Sequence, residues 1–107
     1  MAFTVTMAQT PDESTITLVG ELDAAAAPQF MAAINQVSEP KPKRLVLMVS
    51  DLEFMASAGL RVLIFARQKM GSGVSIYVVG GRGAVLNTLK MSGFHHSVFI
   101  QDTYSPQ

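Results

Sequence analysis

The sequence predicts an α/β domain: a small mixed β-sheet, an N-terminal hairpin plus parallel strands, with three or four helices packed on it. Three observations lead there. Two segments near the N-terminus alternate apolar and polar residues, as strands with one buried face do. Two later segments, "RLVLMV" and "VSIYVVG", are continuous apolar runs of strand length, as in strands covered on both faces. Between and after them, apolar residues recur at helical spacing. Strands that alternate with helices imply right-handed crossovers and parallel pairing. At 107 residues the chain is expected to form one domain, 1–107, with a modest single core.

The elements follow in order. Phe3, Val5 and Met7 alternate with Thr4 and Thr6, giving a first amphipathic strand. "QTPDES" is a turn. From Ser14 to Leu22 the alternation resumes, with Ile16, Leu18, Gly20 and Leu22 on one side, so the two strands form a hairpin. In "DAAAAPQFMAAINQV", Pro28 belongs in a first helical turn, because deeper in a helix its ring clashes with the carbonyl four residues back. Phe30, Ala33, Ile34 and Val37 then fall at i, i+3, i+4 and i+7. The prolines of "SEPKPKR" stop that helix. Arg44–Val49 is the next strand, and "SDLEF" links it to a helix from about Ser57 to Met70, ended by Gly71–Gly73. After the "VSIYVVG" strand, "GGRGAVLNTLKMSGF" is a turn and a third helix, with Val85, Leu86, Leu89 and Phe94 inward. Val98–Ile100 is a short last strand, and the tail from Asp102 is expected to fray.

Composition removes several classes of function. Net charge is zero, so nothing favours nucleic acid or an anionic membrane surface. Charged residues are 15%, against about 25% in ordinary domains. Such a surface has room for an apolar patch that meets a partner, a homodimer included. The chain has no cysteine, which excludes disulfides, a thiol nucleophile and thiolate metal sites and fits a reducing cytoplasm. "MAFTVTMAQTPDE" has neither a basic nor an apolar leader region, and no run nears the length of a membrane span. A cytoplasmic protein without direct membrane insertion is expected.

Ser57 is the first candidate site. It stands where a strand gives way to a helix, at or near the N-cap, and serine is among the best N-caps. The same place offers free N–H groups and the positive end of the helix dipole, which tolerate a phosphate. Along this helix Leu60, Val62, Leu63, Ile64, Ala66 and Met70 share one broad arc. Arg61, Gln68 and Lys69 lie opposite. Phe65 lies among them, either packed at an edge or offered to a partner. Arg67 falls in the apolar arc, so its stem should follow the core edge with its guanidinium in water.

Asp23 precedes the first helix and suits capping there; it could also lie beside Ser57 at the carboxyl ends of the strands. "GGRG", Gly80–Gly83, lacks the lysine and hydroxyl of a phosphate loop, and Leu86 replaces a third glycine, so loop flexibility accounts for it. His95 and His96 have no ligand partner at i+4, and no metal or cofactor is expected. Glu21, Asp23, Asp51 and Glu53 are scattered carboxylates without a nucleophile and base, which argues against an enzyme.

"GELDAAAAPQF", "RLVLMVSDLEFMASAGLRVL" and "AVLNTLKMSGF" resemble, in order, the signature segments of STAS domains, specifically bacterial anti-sigma factor antagonists. The likeness runs from about Phe3 to Ile100 and is most specific over Asp51–Leu60. It implies a STAS-like fold and a protein-binding switch. In such proteins a partner that is both anti-sigma factor and serine kinase, of the histidine-kinase-like ATPase type, phosphorylates the antagonist. The unphosphorylated antagonist binds that partner and frees the sigma factor; phosphorylation releases it, and a PP2C-like phosphatase resets it. The acceptor falls on Ser57 and the nearby aspartate on Asp23. The resemblance implies a docking face of Asp23, Met55, Ala56, Ala58, Gly59, Arg61 and Phe65. The family's usual aspartate before the acceptor is Ala56 here, and its common second hydroxyl is Ala58, so Ser57 is the only hydroxyl between Asp51 and Gly59. The rival expectation is a constitutive structural STAS subunit, stressosome-like or lipid-transporting, with Ser57 only a cap.

Overall fold

The computed structural model describes residues 2–106. Strands β1 (Thr4–Gln9), β2 (Glu13–Leu22), β3 (Arg44–Met55), β4 (Ser75–Val79) and β5 (Phe99–Gln101) form one sheet in that order. β1 and β2 are antiparallel, joined by a tight turn in which Glu13 O accepts the Thr10 N–H at 2.8 Å. Every later neighbour is parallel. Helices α1 (Ala27–Ser38), α2 (Ser57–Met70) and α3 (Gly83–Ser92) make the crossovers, and a 3-10 turn at Phe94–Ser97 follows α3.

Because each crossover moves one strand in the same direction, right-handed connections put all the helices on one face of the sheet. That face carries the main core. Ile16, Leu18 and Leu22 of β2 meet Leu45, Leu47, Val49 and Leu52 of β3 and Ile76 and Val78 of β4. Phe30, Ala33, Ile34 and Val37 of α1, Val62, Leu63 and Ala66 of α2, and Val85 and Leu89 of α3 close over them. Phe94 is buried beside them from the 3-10 turn rather than from a helix.

The other face bears no helix, so the central strands are not covered by helices on both sides as their apolar runs suggested. Val46, Tyr77 and Val79 form a second, small cluster there with Met48 and Tyr104. Tyr77 stacks on Phe99 with centroids 5.0 Å apart, and Tyr104 meets it edge-on at 5.2 Å. The tail therefore does not fray as expected. The Tyr104 hydroxyl donates to the Glu13 carboxylate, which also accepts from Arg44 Nε at 3.1 Å. Gln101 and Ser105 exchange two further hydrogen bonds, of 2.8 and 2.9 Å. An aromatic cluster needs a lid where no helix supplies one, and the tail is that lid.

Three other expectations are corrected. The last strand is Phe99–Gln101, one residue later than read. Ile64 is 38% exposed, so the apolar arc of α2 is narrower than its composition suggests. The Arg67 guanidinium is half-buried and bound to backbone rather than left free in water. It donates to the carbonyls of Gly71 and Val74, and to Ser97 O at 3.4 Å. Burial pushes it below the usual arginine value. Carbonyls left over after the last turn of α2 need donors, and Arg67 supplies them.

Tyr104→Phe is expected to cost about 1 kcal/mol near neutral pH. The Tyr104 hydrogen bond, followed by Arg44, holds the Glu13 carboxyl below its ordinary value of 4.5. A depressed carboxylate stabilises the fold above its unfolded value and stops doing so as pH falls through its native value. The gap between wild type and Tyr104→Phe should therefore narrow between about pH 5 and pH 3. Urea midpoints at pH 7 and pH 3 check this, and a gap of constant size would contradict it.

Candidate functional site around Ser57

The site is built by the ends of β2 and β3. β3 does not stop at Val49 as its apolar run suggested; it continues to Met55, and "SDLEF" is strand rather than link. Between Thr17 and Val19, β3 advances from Met48 to Asp51, and between Gly20 and Glu21 from Leu52 to Phe54. Each step holds one more residue on β3 than on β2. These bulges break the alternation that marks a strand in sequence. Pairing then persists to Leu22 and Met55, and Leu22 O accepts the Ala56 N–H at 2.8 Å.

One residue, Ala56, joins this strand to α2. Ala56 is extended (φ −75°, ψ 167°) and holds the N-cap position, and its carbonyl accepts the Leu60 N–H at 3.1 Å. Ser57 is thus the first helical residue, not the cap. Its hydroxyl makes no capping hydrogen bond, and its side chain is exposed. The capping explanation for this serine fails on that geometry, because a cap must still have non-helical dihedrals to reach back to the free N–H groups.

Gly59 and Met55 set where the hydroxyl sits. A Cβ on Gly59 would lie 2.6 Å from Leu22 Cγ and 3.1 Å from Met55 Cγ. Leu22 and Met55 are both buried. Only glycine lets the helix start press this closely on the strand ends. Met55 and Gly59, expected at a partner surface, instead lie beneath it. Phe65 is half-buried against the core, with Lys69 Nζ 5.7 Å from its ring centroid, so it packs at an edge rather than standing out as an anchor. Arg61 and Ala58 do reach the surface; Arg61 has no ion-pair partner among the described residues.

Asp23 follows Leu22, so it leaves β2 at the end where Ala56 leaves β3. Its Oδ1 accepts the Ala26 N–H at 2.8 Å, and its carbonyl accepts the Ala26 and Ala27 N–H groups. It therefore closes the turn before α1 rather than capping the helix, whose N-cap is Ala26. Beside it, Ala24, Ala27, Pro28 and Met31 face Ala58, Arg61 and Val62 across a groove of about 420 Å³. Arg61 is the one charged residue of its lining. No local pattern marks this groove, since it forms only where the starts of α1 and α2 meet. A larger cleft, about 540 Å³, lies at the opposite ends of both helices, between Ser38–Lys43 and Lys69–Val74.

α3 braces the strand end. Thr88 Oγ1 lies 3.3 Å from Met55 O and 3.1 Å from Ala84 O, the two acceptors open to its hydroxyl. Arg82 Nε donates to Ser50 O at 2.6 Å, and its guanidinium lies 3.9 Å from the Asp51 carboxylate. "GGRG" is a tight junction rather than a flexible loop: Gly80 has φ +79°, and a Cβ there would lie 2.9 Å from Ser50 Cβ. The His95 and His96 rings lie tilted against each other with centroids 3.9 Å apart, and no group of three or more metal-ligating side chains occurs among the described residues.

A five-stranded sheet with one antiparallel edge, helices on a single face and a serine opening α2 defines a class. The STAS domain model matches residues 4–105, and the chain belongs to the STAS domain family. Within that family its likeness is to anti-sigma factor antagonists. An anti-sigma-F factor antagonist, RsfB, of Mycobacterium tuberculosis is 34% identical over 84 residues, 78% of this chain and 68% of that protein. The crystal structure of an anti-sigma factor antagonist from Mycobacterium paratuberculosis superposes with a TM-score of 0.86 at 26% identity, covering 95% of this chain and 87% of that one. The phosphorylated form of the Bacillus cell fate determinant SpoIIAA shares the fold, with a TM-score of 0.68 at 22% identity over 92% of this chain and 90% of that one.

Gly59→Ala tests the close approach. Alanine favours a helix interior by up to about 1 kcal/mol, but overpacking costs about 1–3 kcal/mol. Leu22 is wholly buried and has nowhere to move, so overpacking should win. A net loss of about 1 kcal/mol is expected by urea unfolding; a gain would show that the contact is slack.

Proposed function

We propose that this domain is a phosphorylation-switched binding module, not an enzyme, whose partner is an anti-sigma factor that is also a serine kinase of the histidine-kinase-like ATPase type. The observation that carries the reading is Ser57 itself. It is an exposed hydroxyl on the first residue of α2, it does no capping, and its neighbours Ala56 and Ala58 cannot substitute for it. The relatives named above support the partner class.

On this reading Ser57 Oγ attacks the γ-phosphorus of ATP held by the partner. The bond from that phosphorus to the bridging oxygen breaks, ADP leaves, and the hydroxyl proton passes to a base on the kinase. A phosphate at the first turn of a helix sits at the positive end of the dipole, so the domain keeps its fold. What changes is the surface, which gains up to about two negative charges. Asp23, Ala56, Ala58, Arg61 and the exposed edge of Phe65 form the docking face, held in place from beneath by Met55 and Gly59. Phosphate in that face weakens docking by desolvation and like-charge repulsion. The unphosphorylated form occupies the anti-sigma factor and frees the sigma factor; a PP2C-like phosphatase regenerates it by hydrolysis in the cytoplasm. The rival reading, a constitutive subunit, loses one of its arguments, because Ala56 rather than Ser57 holds the cap position.

Calorimetry with the partner kinase, recovered by pull-down and purified, tests this. Ser57→Ala should bind as wild type does, and Ser57→Asp at least about tenfold more weakly, or about 1.4 kcal/mol. Equal affinities for the two variants would end the proposal.

A further inference from the structure

The structure leaves one cation at the docking face without work. Arg61 is exposed, is the only charged residue lining the apolar groove between α1 and α2, and has no carboxylate partner among the described residues. It is also four residues after Ser57 on the same helix. Side chains at i and i+4 are neighbours on a helix surface, with Cβ atoms about 5–6 Å apart. Of the three residues between them, Ala58 and Gly59 are small, and Leu60 packs against the core.

We propose that Arg61 is the charge gate of the switch: free, it pairs with a carboxylate of the anti-sigma factor whose apolar side chain fills the groove, and phosphate on Ser57 captures it. This rests on the proposed function and specifies how that site is regulated. The occupant follows from the lining. Ala24, Ala27, Pro28, Met31, Ala58 and Val62 offer an apolar trough, and a single uncompensated guanidinium at its margin calls for an anion beside an apolar anchor. The capture follows from the spacing. A phosphoserine presents three acceptor oxygens and nearly two charges, and guanidinium binds phosphate bidentately. Phosphorylation by ATP, which adds the phosphoryl group to Ser57 Oγ and releases ADP and the proton, thus acts twice. It introduces repulsion and it removes the cation the partner needs.

The test uses the full chain carrying phosphoserine at position 57 by genetic incorporation. In a 31P titration the phosphate monoester, ordinarily near pKa 6, should titrate about half to one unit lower with Arg61 than in Arg61→Gln. Arg61→Lys should recover part of that difference, and superimposable curves for wild type and Arg61→Gln would overturn the capture. The second arm uses the purified anti-sigma factor kinase. Unphosphorylated Arg61→Gln should bind about tenfold more weakly than wild type. Phosphorylation should then cost Arg61→Gln less affinity, in fold terms, than it costs wild type; equal fold losses overturn the gate. Ala24 is exposed in a turn, so Ala24→Glu tests the groove without threatening the fold. About tenfold weaker binding is expected, and unchanged binding removes the groove as the docking place. If wild type binds no such kinase, the proposed function and the docking role of Arg61 both fall, while the 31P curves still decide whether phosphate captures Arg61.

Discussion

The parallel pairing of β2 with β3, carried through two bulges to Leu22 and Met55, positions everything at the serine end of this domain. Its last link is the hydrogen bond from Ala56 N–H to Leu22 O. With the strand fixed that far and one residue left before α2, the helix start has no freedom of placement. Gly59 then allows α2 to rest directly on Leu22 and Met55. Thr88 lies within reach of the Met55 carbonyl from α3, so the strand end is held from a second side. The hydroxyl of Ser57 is exposed, yet the backbone that carries it is set by three elements. A group that a partner must find in one place benefits from such a mount.

The sheet is finished differently on its two faces, and one topological fact explains both. Strands laid down in chain order with right-handed crossovers stack α1, α2 and α3 on one side. The opposite side receives nothing from the crossovers. There Thr15, Thr17 and Glu13 of β2 keep the surface polar, while Val46, Tyr77 and Val79 need cover. Tyr104 supplies it with a ring against Tyr77 and a hydroxyl on Glu13. A tail that looks featureless in sequence is thus an anchored part of the fold.

Much of this was legible in the sequence, and the failures have physical causes. Hairpin alternation, the Phe30–Val37 stripe and the buried strand at Ile76–Val79 are local patterns, and each appears where its period places it. The STAS resemblance, too, is carried by local segments and was legible. The continuation of β3 was hidden because bulges erase the period of two. Tyr104 was misjudged because its partner, the carboxylate of Glu13, is distant in sequence, and Arg67 because its acceptors are backbone carbonyls of the turn after α2 and of Ser97, which no side-chain pattern marks. Loop chemistry misled at "GGRG", where glycine answers to a close neighbour, Ser50, rather than to motion. Of the candidate site residues, Ser57, Asp23 and Arg61 are exposed and Ala58 is half-exposed, whereas Met55 and Gly59 are buried. Adjacent residues at a strand–helix junction divide between surface and core in a way no period predicts.

The position of Ser57 bears on what kind of switch the proposed phosphorylation can be. Phosphate at the first helical residue interacts favourably with the dipole by about 0.3–1 kcal/mol, too little to rearrange a core that buries Leu22, Leu52 and Leu63 completely. The helix cannot unwind to respond either, since Gly59 and Ala56 tie its start to the strands. A conformational relay through the domain therefore has no element to act on. Whatever phosphorylation does must act at the surface, within reach of the phosphate, and the side chains within that reach are few. Ala56 and Ala58 carry no charge, so Arg61, one turn on, is the nearest cation along the helix. A rigid fold thus directs attention from the domain as a whole to one turn of α2 and the partner surface that meets it.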